Sequence, residues 1–163
     1  MGFRDVLTHH PQPREGPVLT MKFEGVEAFL KLYRKLRFVG SPFTGAEVDG
    51  LENQLGLPLP PAYRAYLLVA GAEPPAELIG SDCHGNCLPQ LRAWAEELIE
   101  EAGRPFDLPA DAVVFLMHQG YQFFYFRADG VNADPPVWYY HEKRVDQEQA
   151  DSSFSTWVRR MSR

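Results

Sequence analysis

The chain reads as an α+β domain, an antiparallel sheet packed against N-terminal helices and a closing C-terminal helix. Three observations carry this reading. Apolar residues recur at helical spacing through the first two thirds of the chain and switch to extended, strand-like runs after residue 111. The runs are separated by short turns, which join antiparallel rather than parallel neighbours. The last dozen residues then return to helical spacing.

The first 21 residues, rich in proline and histidine, read as a poorly ordered lead-in before a single domain over 22–163. Val26, Phe29, Leu30, Tyr33 and Leu36 define one face of a helix over about 24–37. Thr44 followed by Glu47 is a capping box, in which each side chain satisfies a free amide at the next helix start. Val48, Leu51 and Leu55 share a face of that helix. Gly56 suits the left-handed residue that closes a helix. Pro58 and Pro60 hold the preceding residues extended, and Pro61 fits a helical first turn. The next helix presents Ala62, Tyr66, Leu67 and Ala70 and ends at Gly71. Physics alone reads this segment as a rigid corner rather than a binding loop.

After Pro74 and Pro75 a short strand is expected near Leu78–Ile79. Pro89 opens a helix with Leu91, Ala95, Leu98, Ile99 and Ala102 on one face and Gly103 at its end. Glu96, Glu97, Glu100 and Glu101 fall mostly on its solvated side. Residues 112–118, AVVFLMH, read as a strand buried on both faces. Gln119-Gly120 is a turn, and 121–127, YQFFYFR, is the hairpin partner. Residues 137–141, VWYYH, form a third strand after turns at Asp129-Gly130 and 134–136. The closing helix starts near Ser152 or Ser153, with Phe154, Trp157, Val158 and Met161 at i, i+3, i+4 and i+7. No internal repeat is visible.

Composition narrows the function. With 163 residues and 45 % hydrophobic content, the chain has enough apolar side chains for a real core. No run of about 18 apolar residues marks a membrane span. The N-terminal residues lack the apolar core of a secretory signal, so a cytoplasmic location is expected. The formal net charge is −6, unevenly spread. Residues 71–151 hold 15 acids and 5 bases, whereas residues 1–70 hold 7 acids and 8 bases. Nucleic-acid binding calls for a basic stripe, so this field argues for a basic protein partner, or for a solvated surface that serves solubility.

Catalytic and metal signatures are sparse. Cys83, His84 and Cys87 invite a zinc reading, but a structural zinc needs four ligands and no second pair follows. Reduced structural cysteines are expected in a reducing compartment, and neither a metal nor a cofactor is expected. Nothing nearby would activate a thiolate. Phosphate-binding glycine loops, the nucleophile-elbow motif and the zinc-protease motif are absent. Asp107 and Asp111 form no informative pair among so many carboxylates, and His9-His10 reads as surface. Tyr121, Phe123, Phe124, Tyr125, Phe126, Trp138, Tyr139 and Tyr140 form the densest chemical feature. Strand alternation makes most of them core, and any exposed ring a candidate hot spot.

These segments together resemble the SUKH superfamily, the family of fungal Smi/Knr cell-wall regulators and many bacterial immunity proteins. The matching stretches are LENQLGLPLPPAYRAYLLVAG at 51–71, the strand pair around Gly120, DPPVWYY at 134–140 and SSFSTWV at 152–158. Gly56, Pro58, Pro60 and Tyr63 match the corner and its aromatic, and Gly71 ends the helix. Pro136 and Val137 match the late strand, and Ser153, Phe154 and Trp157 the closing helix. The chain has Ala70-Gly71-Ala72 where the family commonly has Asn-Gly, and segment 80–105 resembles a local elaboration.

The resemblance implies a non-enzymatic domain that binds another protein. The expected role is an intracellular immunity protein that neutralises a cognate polymorphic toxin, such as a nuclease, by stoichiometric occlusion. A regulatory or scaffold role of the Smi/Knr type is the alternative, and an enzyme with an unrecognised site a weaker one. The candidate partner-binding residues are Asp82, Tyr121, Tyr125, Asp129, Asp134, Trp138 and Tyr139. The expected partner is a basic protein, with no nucleic acid and no membrane. The sequence does not give the oligomeric state.

Overall fold

A computed structural model describes residues 16–163, with side chains from Gly25 onward. A five-stranded antiparallel meander forms its centre, in the order β1 (Ser81–Asp82), β2 (Ala112–His118), β3 (Gln122–Arg127), β4 (Val137–His141) and β5 (Glu148–Asp151). Helices α1 (Gly16–Lys35), α2 (Gly45–Leu55), α3 (Pro61–Ala70) and α5 (Phe154–Met161) share a core with one sheet face. Helix α4 (Leu88–Glu101) covers the other face. The class is α+β, as the switch of period predicts.

The strand alternation explains how the sheet serves two cores. Val113, Phe115, Phe126 and Val137 face the four-helix side. Ala112, Val114, Phe123, Tyr125 and Tyr140 face α4. The β2–β3 register shifts between Val114 and Leu116. This bulge puts both Phe115 and Leu116 in the four-helix core and returns Met117 to the α4 side.

The corner forms as its residues dictate. Thr44 and Glu47 make the reciprocal capping box, at 3.2 and 2.7 Å. Gly56 closes α2 with a φ of 65°, a conformation glycine adopts without steric penalty. A polar clamp then braces the turn. Glu52 accepts hydrogen bonds from the Leu59 amide at 3.0 Å and from Arg64 at 2.8 Å, and Arg64 also reaches Asp49 at 2.5 Å. Tyr63, fully buried, delivers its ring against Phe126 at 4.9 Å and Phe154 at 5.4 Å. Phe115 sits 5.0 Å from Trp157 and 5.2 Å from Phe154. Edge-on contacts of this kind add about 0.5–1.5 kcal/mol each beyond simple burial.

Several elements differ from expectation. Helix α1 begins at Gly16, within the stretch read as lead-in, and residues 1–15 lie outside the described residues. The strand expected at Leu78–Ile79 is a 3-10 turn over Ala76–Leu78, set by Pro74 and Pro75. The edge strand comes later, at Ser81–Asp82. Strand β5 was not legible, because EQAD carries no apolar alternation. It pairs with β4 at the sheet edge, where charged residues guard against further strand addition. The hairpin turn between β2 and β3 has positive φ at both Gln119 (50°) and Gly120 (77°), as a primed turn requires.

Candidate protein-binding surface

The candidate residues fall in four places rather than one. Asp82 is exposed on β1, at the open end of the α4 side. Tyr121 and Tyr139 are half-buried in or near a polar row that crosses the other face. There Ser81, His118, Gln122 and His141 are successive cross-strand neighbours. Ser81 Oγ lies 2.9 Å from His118 Nδ1. The Tyr121 ring packs edge-on between His118 and His141, at 6.0 and 5.3 Å. The Tyr139 hydroxyl donates to Gln122 at 2.7 Å, and the Arg144 guanidinium lies over its ring at 5.9 Å. Asp129 and Asp134 sit at the opposite end of the sheet, in the β3–β4 loop.

Two of the acids there have structural work. Asp129 accepts hydrogen bonds from the Val131 and Asn132 amides, both at 2.9 Å. Those bonds pull its carboxyl below the ordinary range. Asp134 accepts from the Ser155 amide at 2.9 Å and from the Ser155 hydroxyl at 2.5 Å. It thereby satisfies a free donor in the first turn of α5, beside the Ser153 cap. Asp134 is an anchor for the closing helix as well as a surface acid.

Tyr125 is not an exposed ring. It is 1 % exposed in the α4-side core, hydrogen-bonded to Gln147, and burial pushes its phenol up to about 12. The alternation of β3 sends it inward with Phe123, since α4 covers that face too. Trp138 is half-buried beside it, with near-parallel rings 6.5 Å apart.

The cysteines are equally explicit. Burial raises Cys83 from 9.0 to about 12, and burial with nearby Asp82 raises Cys87 to about 11. These shifts run opposite to those of an activated thiolate. Among the described residues no group of three or more histidine, cysteine, aspartate or glutamate side chains is placed to hold a metal. No helix among them is long and apolar enough to cross a membrane.

The sequence reading overlooked one feature. An open pocket of about 390 Å³ lies between α4, β1, β2 and the Gln119-Gly120 turn. Its floor is Leu98 and Met117, both buried. Its walls carry Asp82, Glu97, Glu101 and Trp94, a residue 39 % exposed. The signal was present in the helix register. Leu91, Ala95, Leu98 and Ile99 fix the buried face of α4, which leaves Trp94 as a large apolar residue off that face.

The architecture defines an α+β domain with an open antiparallel sheet, a proline-locked helical corner and a closing helix. The chain belongs to the SMI1/KNR4 family (SUKH-1), whose model matches residues 42–160. That family consists in general of non-catalytic domains that act through protein–protein contact. Comparison with curated proteins gave no match.

Proposed function

We propose that the protein is an intracellular immunity protein that binds a cognate basic toxin one-to-one and occludes its working surface. The observation that carries this reading is the acidic 71–151 region, with Asp82, Glu97 and Glu101 exposed around a pocket and paired with no cation among the described residues. Enzymes that act on nucleic acid need basic clefts, and an acidic inhibitor matches such a cleft in sign. An interface of ordinary size would bury ~1,600 Å² and draw its affinity from a few hot spots. Tyr121, Trp138 and Tyr139 are half-buried rings able to contribute, and Asp129 adds charge at the far end of the sheet.

A regulatory or scaffold role of the Smi/Knr type uses the same fold without a toxin. The separating experiment is affinity capture with the full chain, reconstitution of the captured complex, and co-expression of the two proteins. One-to-one assembly with rescue of growth from a toxic partner supports immunity. Assembly with a non-toxic partner supports the regulatory role. Charge reversal at Asp82 and Asp129 weakens assembly if the acidic field guides it. An undiminished complex would remove that field from the mechanism.

A further inference from the structure

The acidic residues of α4 are not equivalent. Arg92 pairs with Glu96 one helical turn on, at 3.0 Å, and Arg104, just past the end of α4, pairs back with Glu100 at 3.5 Å. That stripe is neutralised within the chain. The adjacent stripe carries Trp94, Glu97 and Glu101, which line the pocket with Asp82 from β1. Neither Glu97, Glu101 nor Asp82 has an ion-pair partner among the described residues. Glu97 and Glu101 are also one turn apart, an arrangement of like charges that weakens a helix slightly. A surface serving solubility alone would not need an exposed indole inside this arrangement.

We infer that this pocket receives an arginine side chain projected by the protein partner. The inference rests on the protein-binding reading and names where one contact is made. The recognition chemistry is complete for a guanidinium. An indole face attracts a cation through its quadrupole, and guanidinium does so with a planar surface that stacks. Carboxylates accept its forked N–H donors. Leu98 and Met117 give the methylene stem an apolar floor. The volume, about 390 Å³, lies at the small end of ligand-sized sites, which suits one side chain better than a cofactor. A bare metal ion fits poorly, because the described carboxylates are not grouped for coordination. An anion or a nucleic-acid backbone is repelled by the same three carboxylates.

The test uses the full chain and a probe that needs no partner. Acetyl-arginine amide is titrated while the Trp94 indole N–H is followed by NMR, its resonance assigned with Trp94→Phe. Acetyl-citrulline amide, similar in shape and uncharged, is the control. A saturable shift with the arginine probe, weaker by about fivefold or more with citrulline, is expected. Glu97→Gln with Glu101→Gln should weaken binding about three- to tenfold while the rest of the spectrum stays in place. No saturable shift at Trp94, equal response to citrulline, or an unchanged double variant would each overturn the assignment. These outcomes do not depend on the toxin reading. Conversely, a reconstituted partner complex that binds the double variant undiminished removes the arginine pocket and leaves protein binding intact.

Discussion

The two faces of the sheet do different things with the same raw material. The four-helix face is an aromatic interior in which Tyr63, Tyr66, Phe115, Phe126, Phe154 and Trp157 are all fully buried. The α4 face buries fewer large rings and opens at one end into an acidic pocket with a half-exposed tryptophan. Tyr63, Val137, Phe154 and Trp157, four of the residues that carry the family resemblance, lie in the first core. The family signature is therefore a signature of packing. On the proposed reading partner choice falls to surfaces outside that core, such as the acidic pocket between α4 and β1.

The largest effect on stability should come from the four-helix face. Phe115 touches Tyr63, Phe124, Phe126, Phe154 and Trp157. Phe115→Ala leaves a cavity in the middle of that group and should cost about 3–5 kcal/mol in urea unfolding. Trp94→Ala, a larger truncation on the α4 side, should cost well under about 1 kcal/mol. Similar losses for the two variants would break the comparison.

The next effect is alkaline and draws on both faces. Cys83 is held up to about 12 by burial, against 9.0 for a free thiol, and Cys87 to about 11. Tyr125 is held up to about 12 against 10.0. In each case the unfolded chain releases its proton first, so rising pH favours unfolding. The stability these groups contribute is complete below pH 9 and declines as pH climbs toward 12. Urea midpoints across that range should fall. Cys83→Ala should reduce the part that begins at 9, where Cys87 still contributes. Tyr125→Phe should reduce only the part above 10, which it shares with the buried Tyr33, Tyr63 and Tyr66. A flat profile in the parent protein would refute the burial assigned to these groups.

A smaller contrast lies within the first face, between two buried tyrosines. Tyr33 donates to the Ala62 carbonyl at 2.7 Å, tying α1 to α3. The Tyr63 hydroxyl is buried with no hydrogen-bond partner among the described residues. Tyr33→Phe should cost about 1 kcal/mol, because it removes the one hydrogen bond this side chain makes from α1 to α3. Tyr63→Phe should be neutral or stabilising, because it removes a hydroxyl that burial penalises. A loss at Tyr63 equal to that at Tyr33 would show that the ring's hydroxyl, and not only its packing, explains its place at the corner.

What was legible in the sequence follows the same division. The corner could be read because capping, glycine closure and proline geometry are local rules, and Thr44, Gly56 and Pro61 obey them. Strands β2 and β4 could be read because the runs at 112–118 and 137–141 match the strand bounds residue for residue. Strand β5 could not, since its place is set by pairing with β4 rather than by its own side chains. Of the candidate site, the acidic field was visible in composition. The pocket was not, because it needs Met117 of β2, Asp82 of β1 and one stripe of α4 brought together by folding. Tyr125 was read as a possible surface ring only because the sequence does not say that α4 covers the second sheet face.

The smallest expected effect lies within the α4 side and separates the two stripes of that helix. Glu97→Gln with Glu101→Gln removes two like charges one turn apart, from positions that are exposed and unpaired among the described residues. Such repulsion is worth a few tenths of a kcal/mol, so the double variant should be equal to or slightly more stable than the parent. The gain should shrink as salt is added, because exposed charges are screened. Glu96→Gln, which breaks an ion pair with Arg92 on the neighbouring stripe, should move stability by a similar amount in the opposite direction. Opposite signs from adjacent glutamates would mean that α4 carries one stripe arranged for its own fold and another whose charge is left for a partner to satisfy. Destabilisation by both changes would mean that Glu97 and Glu101 already have their counter-charge within the chain, and the pocket would lose the unbalanced charge on which its proposed role depends.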